Sequence, residues 1–596
     1  GSMLKTLSSY VLDSHEIGQT APIGVSAEDT LYGDEGLDVL VGGNSSDSLQ
    51  GGPSDDVLVG DFANLTVGLD SSFIQGETLT DADVWSGQDY LYGRGGDDVL
   101  MGGGLSDELR GASGADILLG DFGEILPSST ASGAGYLFRT FTEYEEQQGE
   151  DFLFGESGDD VVFGGSGPDW MYGNDLYGTE VPSPDTDDDI LIGDHGVALR
   201  AESPRYIVSF ESQARATAGS LGVGHVDNIL AGAGKDTLAG GAAADILDAG
   251  PGDDVLFGDY GSSEFDSAGP LSSTTIDEFV PGGDDDELYG RDGVDTAFGG
   301  QGRDKIYGEG DADVLFGDFG YFQLLTGAEE FWSTTDQDTY EGDVDQIYGG
   351  EAEDVLIGGG AADDLYGERG LDVILGDHGS LDVLNGFVQV ARSFAHVNGG
   401  NDRLYGHEER DLLMGGAERD TIWGDEGALT DTATGSDDII FGDHGRAEFY
   451  PASWDLMSVE TWDEVNGDDD LIHANEGADV VLAGFGRDSV SGDSGSDIIV
   501  GDLISHPPGR AELDEVDVVL LGGSGDFSVV TGGPWLESAL DVMRQLYDLS
   551  KPTFASCWGF QAFSLALGGE VVTDLNRAEV GTFDLSLTDE GVADPV

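Results

Sequence analysis

Between residues 29 and 61 the chain reads DTLYGDEGLDVLVGGNSSDSLQGGPSDDVLVGD, and one spacing runs through it without a slip. Asp29, Asp38, Asp47 and Asp56 fall nine residues apart. Leu31, Leu40, Leu49 and Leu58 follow each aspartate by two places, and Gly33, Gly42, Gly51 and Gly60 follow each leucine by two. Glycines at this density let the backbone turn tightly and present its carbonyls. The aspartate closes each turn, and the three residues from the next position make a short strand with one inward side chain. Two nine-residue units then form one flattened coil, so equivalent turns recur every eighteen residues. Stacked coils have parallel strands and a thin, continuous aliphatic core. A Gly/Asp-rich disordered tract would share this composition, but disorder does not require an aliphatic residue at every ninth position.

The same stacking brings the aspartates of successive coils together. Like charges at that distance repel unless a cation sits between them. A groove of carboxylates and carbonyls suits a hard divalent ion that takes six to eight oxygens, which favours Ca²⁺ over Mg²⁺. Unit by unit the sequence follows G-G-x-G-x-D-x-U-x with U aliphatic, and in this it resembles the RTX, or hemolysin-type, calcium-binding nonapeptide repeats. The resemblance implies an all-β fold: a right-handed parallel β-roll or β-helix solenoid with multiple bound Ca²⁺ ions. It also implies export in an unfolded form and folding outside the cell.

The repeat occupies eight blocks within residues 29–502. Block 29–61 carries the four aspartates above, and block 89–121 carries Asp89, Asp98, Asp107 and Asp116. Block 151–194 has Asp151, Asp160 and Asp169, then Asp189 after an eleven-residue excursion. Block 227–259 has Asp227, Asp236, Asp245 and Asp254; block 286–318 has Asp286, Asp295, Asp304 and Asp313. Block 345–377 has Asp345, Asp354, Asp363 and Asp372. Block 402–443 has Asp402, Asp411 and Asp420, then a gap of eighteen to Asp438. Block 470–502 closes the series with Asp470, Asp479, Asp488 and Asp497. These aspartates are the candidate metal ligands.

Each block ends in Gly-Asp and a bulky residue: Phe62, Phe122, His195, Tyr260, Phe319, His378, His444 and Leu503. Because Phe, Tyr and Leu share the place with three histidines, it reads as a packing position and not as a metal ligand. The aspartates before them, Asp61 to Asp502, are open to two readings, extra ligands or turn caps. Between blocks lie seven segments with short alternating or β-branched runs, such as Gly196-Val197-Ala198-Leu199, Tyr206–Phe210 and Phe387–Val390, and aromatics including Trp332, Trp454 and Trp462. Each reads as a strand pair packed beside the coil, serving either as cover or as a surface for partners. Modules repeating on this scale make a quasi-linear solenoid; eight could also close into a ring, but nonapeptide stacking favours a rod.

Composition narrows the partners. The chain of 596 residues has 120 acidic and 22 basic side chains, for a net charge of −98. That excludes nucleic acid and disfavours anionic membranes, and no apolar run is long enough to span a bilayer. A lone cysteine, Cys557, leaves no intramolecular disulfide, so metal would take the place of such staples in a secreted protein. Residues 1–28 read as a cloning scar, Gly1-Ser2-Met3, followed by a lead-in or cap with no signal peptide. The expectation is a piece of a longer chain.

Residues 503–596 differ in character. Val516–Leu521 reads as a buried strand before Gly522-Gly523-Ser524-Gly525, and Leu536, Leu540, Met543, Leu546 and Leu549 mark an amphipathic helix. After Lys551-Pro552 come a strand Thr553–Ala555 and Ser556-Cys557-Trp558-Gly559-Phe560-Gln561, leading into a second helix and Gly568-Gly569. This partial α/β segment resembles class I glutamine amidotransferases. That resemblance makes Cys557 the candidate nucleophile, Gly523 and Trp558 the oxyanion-hole donors, and Gln561 a neighbour of the substrate. Ala555 stands where the family motif has its first glycine, and no histidine follows Cys557 to activate it. The segment therefore leans away from an active enzyme.

The expectation is a calcium-binding extracellular or cell-surface repeat protein that folds and stiffens on binding Ca²⁺, with a structural or adhesive role. Cell-surface or matrix molecules, or copies of the chain itself, are its possible partners. A passive repeat region serving a larger secreted enzyme or toxin is the second reading, and an amidotransferase-like enzyme acting through Cys557 the third.

Overall fold

A computed structural model describes residues 2–5, 9–13, 28–68, 73–78, 86–130, 133–140, 149–174, 187–202, 205–212, 224–266, 269–276, 283–325, 328–333, 342–394, 399–425, 436–451, 453, 455–461, 467–500, 508–510, 513, 519–521, 533, 535–555 and 557–568. Two compact units divide the chain, residues 1–501 and 502–596.

The first unit is a parallel β-roll solenoid made of three sheets of sixteen strands each. Successive nonapeptides alternate between two parallel sheets. Thr30–Tyr32, Ser48–Gly52 and Tyr90–Arg94 begin the outer one; Val39–Val41, Val57–Val59 and Val99–Met101 begin the middle one. Register is strict, with Leu49 opposite Leu91 in the outer sheet and Leu58 opposite Leu100 in the middle sheet. The inward residues of both, Leu49, Leu58, Leu91, Leu100 and their successors, make one continuous core between the two sheets.

The inter-block segments build the third sheet. Each forms an antiparallel hairpin, such as Gly123–Thr130 with Gly133–Thr140, and each hairpin pairs with the next, as Leu137 does with Leu199. The strand pairs expected beside the coils are thus fused along the whole solenoid. The lead-in joins them: Ser2–Lys5 and Ser9–Asp13 form the first hairpin, and Leu12 pairs with Leu65. Hairpin side chains Ala63, Leu65, Ile125 and Phe138 pack on Val57, Val59, Met101 and Leu119, forming a second core. The middle sheet is therefore covered on both faces. Between its two ends most of its strands are apolar and fully buried, as in Val57–Val59 and Ile117–Leu119. Outer-sheet strands alternate, burying Leu109 between half-buried Glu108 and Arg110. This is the pattern expected where a parallel sheet is covered twice and its neighbour once.

The inter-block hairpins after the first, which starts on Ala63, start on glycine for a steric reason. A Cβ on Gly320 would strike the rings of Phe298 and Phe316 in the middle sheet beneath. Irregular spacing in two blocks also resolves. Asp160 pairs with Asp189, 29 residues on, and Asp411 with Asp438, 27 on. Each is a coil of eighteen lengthened by eleven or nine residues, and Thr421–Trp423 and Ile439–Phe441 stand on either side of the second insertion.

In the second unit Val519–Leu521 and Thr553–Ala555 form a two-stranded parallel sheet. The helix Leu536–Leu549 joins them and buries Ala539, Leu540, Val542, Met543 and Leu546; Ser550 ends it in a left-handed turn whose N–H donates to the carbonyls of Leu546 and Tyr547. A second helix, Cys557–Ala566, follows the second strand. The β-α-β-α order matches expectation; Val516–Val518, Gly522–Gly525, Trp454, Trp462 and Gly569 lie outside the described residues.

Phe316 and Tyr32 occupy the same repeat position on the middle and outer sheets. Phe316 is buried and stacks 5.0 Å from Phe298, whereas Tyr32 is 62 % exposed. We expect Phe316→Ala to cost about 3–5 kcal/mol and Tyr32→Ala less than about 0.5 kcal/mol, measured by urea unfolding in saturating calcium.

Candidate metal centre

All thirty-two repeat aspartates fall into two columns, one along each edge of the coil. The first runs Asp29, Asp47, Asp89, Asp107, Asp151, Asp169, Asp227, Asp245 and on to Asp488; the second runs Asp38, Asp56, Asp98, Asp116, Asp160, Asp189, Asp236 and on to Asp497. Within a column each aspartate N–H donates to Oδ1 of the next, as Asp89 does to Asp107 and Asp98 to Asp116, at 2.7 and 2.6 Å. The chain of bonds crosses block boundaries, from Asp107 to Asp151 and from Asp363 to Asp402, at 2.7 and 2.8 Å. It also spans both insertions. Every member is buried except exposed Asp29 and half-buried Asp38 and Asp488.

The other carboxylate oxygen tells more. Oδ2 of Asp47, Asp56, Asp89, Asp107, Asp151, Asp354 and Asp402 is buried with no hydrogen-bond partner. A buried ionised oxygen left this way is costly. In each turn it lies beside the first glycine, and in many of them near the equivalent glycine's carbonyl one coil on. The point a Cβ on Gly42 would occupy is 2.5 Å from both Asp47 Oδ2 and Gly60 O; at Gly120 the pair is Asp151 Oδ2 and Gly164 O, again 2.5 Å each. A carboxylate oxygen without a donor and a carbonyl, which at Gly60 also accepts from Gly43 N–H at 2.7 Å, therefore approach the same point. Among the described residues no group of three or more His, Cys, Asp or Glu side chains could hold a metal. A cation here would take carboxylate and main-chain oxygens together, the donor set that hard Ca²⁺ prefers. Asp189 is an exception, because Asn174 Nδ2 donates to its Oδ2 at 3.1 Å.

The turns that hold this arrangement are tight. The second and fourth residues of a turn adopt left-handed conformations, as at Gly43 (φ 107°) and Ser45 (φ 89°), or Gly359 (φ 112°) and Ala361 (φ 70°). Glycine adopts these at least cost, which explains its frequency there and why other residues are tolerated.

Burial, opposed by the bond from the neighbouring N–H and reinforced by nearby carboxylates, raises the acids. Asp47 and Asp56 are lifted from 3.8 to about 6. Asp89 and Asp98 reach about 8, and Asp107, Asp169 and Asp363 are held well above the ordinary carboxylate range.

The described block-terminal aspartates act as caps, while Oδ1 of Asp318 and Asp443 is buried with no hydrogen-bond partner, as in the columns. Asp61 accepts from the N–H of Gly87 and Gly104, Asp121 from Ser166, Asp194 from Ala242 and Asp318 from Gly360. They tie each hairpin-bearing turn to the next coil. The bulky residues after them are buried from Phe62 to His444, as a packing position requires; Asp502 and Leu503 lie outside the described residues. His195 sits between Ser166 Oγ, 3.0 Å away, and Thr140 Oγ1, 3.3 Å away. Burial lowers it to about 4, so it is neutral.

Two features escaped the sequence reading. A second row of carboxylates precedes the repeat aspartate: Asp159 accepts from the N–H of Asp188, and Asp188 from Lys235. Its signal was the doubled Asp-Asp at such turns. Arg200 on a hairpin reaches a turn of the second column, donating to Ala115 O at 3.1 Å; burial raises Asp116 to about 7, and the Arg200 charge offsets part of that rise. No local pattern announces that contact. In the second unit Cys557 is the first residue of its helix and Gln561 is exposed one turn on; Gly523 lies outside the described residues.

A family model for the RTX calcium-binding nonapeptide repeat (4 copies) matches residues 24–64, 86–109, 92–124, 147–175, 221–261, 289–321, 341–374, 396–428 and 465–502. A search of curated proteins gives no match.

Two predictions follow from the buried acids. Their folded, metal-free pKa values lie above the ordinary 3.8, so protonation favours the folded state. That contribution is complete below about 4 and is lost as pH rises through about 6 to 8. In chelator, β-structure followed by circular dichroism should fall between pH 4 and pH 8, and the calcium midpoint should move to higher calcium as pH is lowered from 8 to 6. Gly42→Ala should weaken calcium binding at its turn, because the added Cβ meets Asp47 Oδ2 and Gly60 O; isothermal titration would show the loss of a site with most others intact.

Proposed function

The chain belongs, through residues 24–502, to the RTX calcium-binding nonapeptide repeat family, and on that premise we propose that it is a calcium-assembled structural element working outside the cell. The observation that carries this reading is the pair of aspartate columns, each with buried Oδ2 atoms lacking a partner and a carbonyl facing them. Adjacent carboxylates in a column are separated by about one strand spacing, roughly 5 Å. At an effective dielectric of about 20, two ionised neighbours repel by about 3 kcal/mol. A hydrogen bond to a charged oxygen contributes only about 1.5–3 kcal/mol, and burial of each charge adds a further cost. The metal-free columns therefore oppose the fold that the apolar cores favour.

Calcium reverses the balance. Asp29 to Asp497 would hold the ions with turn carbonyls, and the ion supplies the positive charge the columns lack. Sites of about 10⁻⁴ to 10⁻³ M, typical of extracellular modules, would stay empty at cytosolic calcium and fill outside. The chain is then open for export and stiff after it. The acidic surface suits an extracellular structural or adhesive role, with cell-surface or matrix molecules as partners, and no helix among the described residues is long and apolar enough to cross a membrane.

Far-UV circular dichroism during a calcium titration from chelator upward, with magnesium in parallel, tests this directly. A cooperative, calcium-selective gain of β signal is expected; a spectrum indifferent to calcium would overturn the reading. Asp107→Asn sharpens it. The amide removes one charge while keeping an oxygen for the N–H of Asp89, so the variant should gain metal-free β signal and bind fewer ions.

A further inference from the structure

The residue three places after each first-column aspartate forms a row along the outer face of the outer sheet, half-buried in blocks 5 to 7 and buried at Phe154 and Tyr172. In blocks 5 to 7 that row is Tyr289, Tyr307, Tyr348, Tyr366, Tyr405 and Trp423. The rings stack without a break, with centroids 5.0, 5.0, 4.8, 4.8 and 4.6 Å apart and planes within 7° of parallel. Ion pairs run beside them from coil to coil: Lys305 with Glu287 at 3.0 Å, Arg291 with Glu309 at 2.7 Å and Arg403 with Asp364 at 3.0 Å. In blocks 1 to 4 the same row reads Tyr32, Gln50, Tyr92, Arg110, Phe154, Tyr172, Leu230 and Asp248. There Phe154 and Tyr172 stack at 5.0 Å, but polar or aliphatic residues break the row elsewhere. In block 8 it ends in His473 and Ser491.

We propose that blocks 5 to 7 are the folding nucleus of the solenoid, closing at lower calcium than the blocks on either side. The inference rests on calcium-coupled folding as proposed above. The hydrogen-bonded aspartate columns run through all eight blocks, less buried at the ends, at Asp29, Asp38 and Asp488, so every block carries some ion-dependent opposition to folding. The ring stack is not shared. Stacked aromatic pairs contribute beyond their buried area, and side-chain ladders steady sheets that stack flat. In a solenoid, where each coil contacts only its neighbours, a local surplus of ion-independent contact decides where folding starts. The rings face one another and the flanking charges pair within the chain, so the row is internally satisfied, as a stiffening device requires.

Hydrogen-exchange mass spectrometry across a calcium series from chelator upward tests it on the full chain. Peptides from residues 286–425 should gain protection at lower calcium than those from 29–121 and 470–500. Protection arriving in all blocks at one calcium concentration, or first in the terminal blocks, would overturn the nucleus. Protection independent of calcium throughout would overturn the coupled folding on which it rests. Tyr348→Ser with Tyr366→Ser should raise the calcium needed by 286–425 to that of the flanks, since serine already stands in this row at Ser491. Tyr92→Ser, outside the continuous stack, should leave the order unchanged. If the double variant keeps the wild-type order, the ladder is not the cause and the proposal fails; if it does not fold, the order in the unmodified chain decides.

Discussion

One contact repeats through the solenoid: an aspartate N–H donating to the carboxylate of the aspartate one coil on. It fixes the register of every coil, because the carboxylate reaches only the residue stacked on it. Across hairpins and insertions of very different length the same pairing returns, from Asp169 to Asp227 over 58 residues and from Asp420 to Asp470 over 50. The contact uses one oxygen and leaves the other turned toward a carbonyl. Registration and ion binding are thus two halves of one carboxylate, and asparagine could serve the first without the second.

The strands and the two columns were legible in the sequence because one residue type at one spacing determines both. The inward aliphatics also fixed the first core. The second core was equally present in the text and went unread: alternate units carry apolar residues on both sides of the inward one, as Val57-Leu58-Val59 does against Ser48-Leu49-Gln50. A strand apolar on both faces must be covered on both, which requires a third layer. That the cover is one continuous sheet could not be read locally. Its pairings join segments such as Leu137 and Leu199, whose sequences carry no common signature. The capping role of Asp61 and its equivalents was open for a similar reason, since it depends on the positions of N–H groups one coil on.

In the second unit helical spacing and strand runs sufficed for local order. Helix Leu536–Leu549 buries the face that the leucine spacing marks, and two parallel strands flank it. Chemistry is less legible there, because a nucleophilic cysteine depends on partners brought from elsewhere in the chain. Position at a helix start alone does not supply a base.

The three layers separate two opposing tendencies in space. Apolar residues lie on the sheet faces, where burial favours the coil whatever the ion content. Carboxylates lie on the edges, where burial opposes it until a cation arrives. Because the two sets occupy different positions in every nonapeptide, either can vary without disturbing the other. The outer face, free of both duties, is where the blocks differ most, from Gln50 and Asp248 to the ring stack of Tyr289–Trp423. A repeat whose ion chemistry recurs in every block can in this way differ in stability from block to block, through residues that neither bind the ion nor fill the core.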